Sequence, residues 1–126
     1  MIQFGKAIYS ILSGSTGITK YVDSNIFPLV SPENTNLPCI VYQKSMSVDN
    51  SKDGLYLADF QVTIMVFSGN YAESIDITQE IFNVFNGYHA TVENYEIINS
   101  ILSNTDENYA NNAIVQELIF DIKVLK

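Results

Sequence analysis

The residues of this chain that could do chemistry are few and scattered. His89 is the only histidine and Cys39 the only cysteine, so neither a histidine cluster nor a pair of soft ligands is at hand to hold a metal. A general base also needs partners that orient it, and nothing in the sequence nominates any for His89, which is expected to end a loop. Cys39 stands between Pro38 and Ile40 in an apolar run, the setting of a small buried hydrophobe and not of a reactive thiol. Asp49 with Asp53, and Asp106 with Glu107, offer carboxylates. Neither pair has the regular ligand spacing of a calcium loop, so both are expected as solvated acidic turns. The segment Gly14-Ser15-Thr16-Gly17-Ile18-Thr19-Lys20 has the composition of a phosphate loop. Its second glycine does not precede the lysine, however, and it follows a helical pattern where a strand is required. No serine sits in a Gly-x-Ser-x-Gly elbow. The expectation is a protein without catalysis, bound metal or cofactor.

Charge narrows the class further. Six lysines face fourteen acids for a net charge of −8, and the sequence holds no arginine. The guanidinium fork that reads guanine edges and clamps phosphates is therefore missing, and a negative surface repels a polyanion at a distance. No nucleic-acid recognition is expected. The imbalance belongs to the C-terminal half: residues 1–63 carry four Lys and five acids, residues 64–126 two Lys and nine acids. With 47% apolar and 12% aromatic residues and only three prolines, the composition is that of a globular domain. Apolar runs such as Cys39–Tyr42 and Ile64–Phe67 stop at four residues, far short of the roughly 20 that span a bilayer. The N-terminus lacks the basic start and apolar block of a secretory signal, so a cytoplasmic protein is expected.

The elements that must position these residues follow from periodicity. Phe4, Ile8, Ile11 and Leu12 share one helical face over residues 2–13, with Gly14 as the stop. Ser15–Val22 suits a short helical turn, and Ile26-Phe27 a brief edge strand leading into a proline- and asparagine-containing loop. Cys39–Met46 and Leu55–Phe67 read as strands. In the second, Phe60, Val62, Ile64 and Val66 alternate with Asp59, Gln61 and Thr63, the mark of a half-buried antiparallel strand. Asn70 and Glu73 make a variant capping box for a helix over about Tyr71–Asn86, closed by Asn86-Gly87. Ala90–Val92, Tyr95–Leu102 and Ala113–Leu125 read as further strands, the last with Leu118, Phe120, Ile122 and Val124 on one face.

Two polar segments lie between paired strands, Ser47–Gly54 and Ser103–Asn112, each longer than a tight hairpin uses. They are expected as long hairpin tips. Protruding tips on a small sheet domain can reach a neighbouring subunit, which makes Asp49, Asn50, Lys52, Asp53, Tyr56, Asp106, Glu107 and Tyr109 the candidate contact residues, with the tyrosines as anchors. Residues 1–126 are expected as a single α+β domain. Its sheet should be antiparallel or mixed, with two main helices packed on one face and long β-hairpin tips.

Certain residues carry a family likeness. Asn25-Ile26-Phe27-Pro28 is followed by Leu37-Pro38-Cys39-Ile40-Val41-Tyr42-Gln43, then by Phe60-Gln61-Val62-Thr63-Ile64, Tyr71-Ala72-Glu73 opening a helix, and the closing strand Glu117–Ile122. This pattern, from about Ala7 to Val124, resembles the tail completion, or head-to-tail joining, family of long-tailed bacteriophages and prophages, which includes tail terminators. The resemblance implies a structural virion protein that forms a ring, commonly a hexamer, at the head-proximal end of the tail tube. It implies self-association, contact with the tail tube protein and with the head connector or head-completion protein, a place in the virion tail, and assembly in the host cytoplasm. It carries over no active-site residue. The rival expectation is a small cytoplasmic α+β ligand-binding or regulatory domain, which would need a pocket with convergent polar groups.

Overall fold

The computed structural model describes residues 2–50 and 56–125. The described elements are α1 (Phe4–Ser13), α2 (Thr16–Val22), β1 (Ile26–Pro28), β2 (Cys39–Asn50), β3 (Tyr56–Ser68), α3 (Tyr71–Phe85), β4 (Ala90–Val92), β5 (Tyr95–Ala110) and β6 (Ala113–Leu125). Helix α1 forms where the apolar spacing predicts it, burying Phe4, Ala7, Ile8, Ile11 and Leu12 on one face. Helix α3 begins at a real cap: the Asn70 side chain accepts the Glu73 N–H at 3.0 Å, satisfying one of the free donors of the first turn. It ends at Asn86, followed by Gly87 at φ +79°, a left-handed conformation that glycine adopts without strain.

The strands make one mixed sheet in the order β1-β2-β3-β6-β5-β4. Only β1 and β2 run parallel; the other neighbours are antiparallel. Helices cover one face. There Phe60, Val62, Ile64 and Val66 of β3 meet Leu118, Phe120, Ile122 and Val124 of β6, all but sealed from solvent. The Phe4 ring stacks on Phe60 with centroids 4.3 Å apart and meets Tyr95 edge-on at 5.4 Å. From α3, Phe85 lies 5.4 Å from Phe120. Each such ring contributes roughly 1.5–3 kcal/mol by leaving water, so the α1–sheet–α3 contact is the main source of stability.

The expected α+β class, the mixed sheet and the helices on one face all hold. The two polar segments differ from expectation. Strand β2 does not stop at Met46 but continues to Asn50, paired with Tyr56. Residues 103–112 are not a loop, because β5 runs through Ala110 opposite Ala113. Only Asn111 and Asn112 turn, at φ +53° and +62°, the pair of left-handed residues that a two-residue type I′ hairpin requires and that asparagine tolerates. The backbone ladder with β6 holds this stretch extended although its side chains are polar and exposed, so the tip is a flat two-stranded arm.

Candidate assembly surface

The arm is tied to the helix layer by a polar latch. In the register of the sheet, Ile40, Val66, Gln116 and Glu107 form one row across β2, β3, β6 and β5, so Gln116 and Glu107 are neighbours on the helix-covered face. The Gln116 amide, only 7% exposed, donates to Glu107 Oε2 at 3.1 Å and to Ser74 Oγ at 3.2 Å. The Ser74 hydroxyl in turn donates to the Tyr71 carbonyl at 2.7 Å. The Tyr71 hydroxyl closes the circuit by donating to Glu107 Oε2 at 2.8 Å. That bond holds the Tyr71 phenol above its ordinary pKa, with smaller contributions from desolvation and from the Glu107 charge. Glu107 thus fixes the arm against the first turn of α3. Beside it Tyr109 stays 67% exposed and Tyr71 49%, two aromatic rings presented where the arm leaves the body.

The opposite face of the sheet has no helix on it among the described residues. Asp59, Asp106, Glu117 and Asp121 occupy that face, and Lys123 pairs with Asp59 there at 3.8 Å. An exposed pair of this kind is worth little, at most about 1 kcal/mol. A shallow hollow of about 610 Å³ on this face is lined by Ser45, Asp59, Gln61, Ile101, Asp121 and Lys123 among others; its charged side chains are exposed to solvent.

Of the contact residues named from the sequence, Asp106, Glu107 and Tyr109 fall together on the arm. Asp49 and Asn50 end β2, their backbones paired with Leu57 and Tyr56 of β3; the side chains of Asp49, Asn50 and Tyr56, and all of Lys52 and Asp53, lie outside the described residues. The backbones of Asp49 and Asn50 thus lie at the opposite end of the sheet from Asp106, Glu107 and Tyr109. Cys39 is buried, and burial raises its thiol pKa. Among the described residues no three His, Cys, Asp or Glu side chains converge in a way that could hold a metal ion, and no helix is long and apolar enough to cross a membrane.

Sequence reasoning missed Gln116, Ser74 and Tyr71. The available signal was parity: Gln116 sits on the same face of β6 as Leu118, Phe120 and Ile122, and a polar residue on the covered face of a strand must find a partner. In the sequence, Asn86 signals only a helix stop. Its side-chain Oδ1 also accepts the Leu102 N–H of β5 at 3.0 Å.

The fold is thus a mixed sheet covered on one face by helices, with an extended arm tied to α3 and two exposed tyrosine rings beside it. The profile of the family described as "Tail completion protein gp17" matches residues 6–125, and the chain belongs to that family of phage tail structural proteins. Comparison with curated proteins finds no match. Among solved structures, a chain from the virion of a native gene transfer agent particle aligns at TM-score 0.77 with 11% identity, over 96% of this chain and 93% of that one. A second solved chain aligns at TM-score 0.59 with 13% identity, over 96% and 92%. At these identities the structural likeness speaks for the fold alone.

Proposed function

We propose that this protein forms a ring, six copies in number, at the head-proximal end of a phage-type tail tube, where it ends tube growth and offers a docking face to the head connector. The observation that carries the reading is the arm: β5, from Tyr95 to Ala110, runs on past Leu102 through a polar, exposed stretch that Glu107 ties to α3. Tyr95 and Ile97 at the start of β5 belong to the core, but the exposed stretch from Ser103 to Tyr109 adds little to it and suits contact with a neighbouring copy. Family membership supports the tail role, and the gene transfer agent relative supports a place within a virion. A ring around a DNA channel works best when its inner surface repels DNA. On the helix-free sheet face, where Cys39, Val41 and Val115 are buried, Asp59, Asp106, Glu117 and Asp121 outnumber Lys123 and have the sign for that task, and the helices would then face outward. The protein would accordingly reside in the virion tail, having assembled in the host cytoplasm, with no catalytic step of its own.

Removing the gene from a phage and complementing it tests this reading. Loss should yield tails of uncontrolled length or heads and tails that do not join, and the intact gene should restore particles. Normal, infectious particles in its absence would contradict it.

A further inference from the structure

The two lateral edges of the sheet are each half covered, in a complementary way. On β2, the N–H of Ile40 bonds to Asn25 and the carbonyl of Tyr42 accepts from Leu29, so the even-numbered residues direct their backbone groups outward. Strand β1 covers Ile40–Tyr42 only. Beyond it, from Lys44 to Asn50, the outward edge of β2 has no partner strand among the described residues. On β5 the opposite half is covered. Strand β4 pairs with Tyr95–Ile97, the Gly87 N–H bonds to the Ser100 carbonyl, and Asn86 takes the Leu102 N–H. From Ser103 to Tyr109 the outer edge meets no strand among the described residues. A two-residue hairpin makes Ala110 and Ala113 a hydrogen-bonded pair, which turns Thr105, Glu107 and Tyr109 outward. The outward N–H groups of Glu107 and Tyr109 have only the side chains of Asp106 and Asn108 as acceptors, at 2.9 and 2.7 Å. These local caps are the kind of protection that keeps an edge from pairing indiscriminately.

We infer that copies of this chain join by pairing the arm edge of β5, residues 103–109, antiparallel to the bare edge of β2, residues 44–50, of the next copy, with Glu107 opposite Met46. This deepens the ring reading and rests on it. Four features of the fold agree. The two bare stretches are equally long, bounded by β1 at one end and by Asn86 at the other. Strand direction alternates from β2 through β3, β6 and β5, so a further β2 laid beside β5 in the same orientation is antiparallel to it. Parity also matches. In a cyclic ring every copy must present its helices to the same side, so two residues opposite each other across the joint must lie on the same face of the sheet, and a partner of Glu107 must lie on the helix-covered one. Lys44 and Met46 do, beside the Phe60 ring and the core, and so does Glu107. Charge is complementary as well, since the Lys44 ammonium would stand diagonal to the Glu107 carboxylate.

The joint also closes. Glu107 is level with Ile40 of its own copy, so each copy is displaced along the strands by about 20 Å for about 19 Å of width across four strands. The resulting tilt of about 45° is at the upper end of that found in closed barrels. A sheet with these edges has the stagger a closed cylinder requires.

Cross-linking tests the pairing directly. Ser45 and Asn108 lie on the uncovered face, exposed, and would form a non-hydrogen-bonded pair across the joint, about 4.5 Å between Cα atoms and within disulfide reach. Mixing the Ser45→Cys and Asn108→Cys variants under mild oxidation, alone at high concentration and with tail tube protein, should give a covalent dimer. The double variant should give a ladder of multimers, and neither single variant should do so. Thr105→Pro removes one outward donor that the fold does not use, so it should leave the monomer's melting unchanged while weakening self-association about tenfold or more. Assembly at full strength without cross-links, and indifferent to Thr105→Pro, overturns the edge pairing while leaving the ring intact. A chain that stays monomeric in every mixture overturns both.

Discussion

Replacing Gln116 by methionine isolates what the latch contributes. Methionine keeps the length and nearly the volume of glutamine but cannot donate, so the two bonds from the Gln116 amide, to Ser74 Oγ and Glu107 Oε2, are lost together. A neutral bond of this type is worth about 1 kcal/mol net. The bond to the carboxylate would be worth more if sealed, but Glu107 is exposed, and solvent reduces it to about 1 kcal/mol as well. Against this loss of about 2 kcal/mol, burying a thioether in place of an amide returns about 1 kcal/mol. Neither remaining partner is orphaned, because Ser74 still donates to the Tyr71 carbonyl and Glu107 still accepts from Tyr71. The expected result is a destabilisation of about 1 kcal/mol, or about 3–5 °C in Tm for a domain of this size, measured by thermal melting. Hydrogen exchange should also quicken at the amides of residues 105–109 more than in the core strands. A variant as stable as the parent, with unchanged exchange in the arm, would refute the latch.

Other outcomes follow from the same structure. The Tyr71 phenol has its pKa raised by its bond to Glu107, so its stabilising effect should be complete below the ordinary tyrosine value near 10 and be lost as pH rises through the higher folded value. Melting the parent and Tyr71→Phe from about pH 8 to about pH 12 should show a stability difference that shrinks with pH; a constant difference would contradict the assignment. Asn70→Ala removes the α3 cap and should cost about 1 kcal/mol in denaturant unfolding. Ile81→Ala, at a site with no exposure, should cost about 2–5 kcal/mol. Gel shifts at low salt should detect no tight binding of duplex DNA; a strong shift that fades steeply with added salt would refute a repelling lumen.

Where a segment owes its structure to one buried face, the sequence makes it legible. The alternation from Phe60 to Val66 and the Asn70–Glu73 box at α3 both name their elements, because burial and capping act on residues close in the chain. The arm is different. From Thr105 to Tyr109 all the side chains are exposed, so no apolar rhythm marks the strand, and what holds it is the backbone ladder with β6. The one local clue was Asn111-Asn112, a pair suited to the left-handed turn, which the surrounding asparagines concealed. The contact candidates Asp106, Glu107 and Tyr109 were legible as a polar, anionic stretch. That Glu107 turns back onto Tyr71 and Gln116 was not, since those partners lie 36 and 9 residues away and meet it only through the strand register.

In the proposed role this chain caps one end of a tail tube as a ring. Incubating the purified protein with assembled tail tubes and imaging the product by electron microscopy tests it most directly. The account predicts a ring of several 14.1 kDa copies at one end of each tube and nowhere along its length, with tubes so capped no longer elongating. Tubes that bind no protein at either end, or that carry it along their walls and continue to grow, would contradict it.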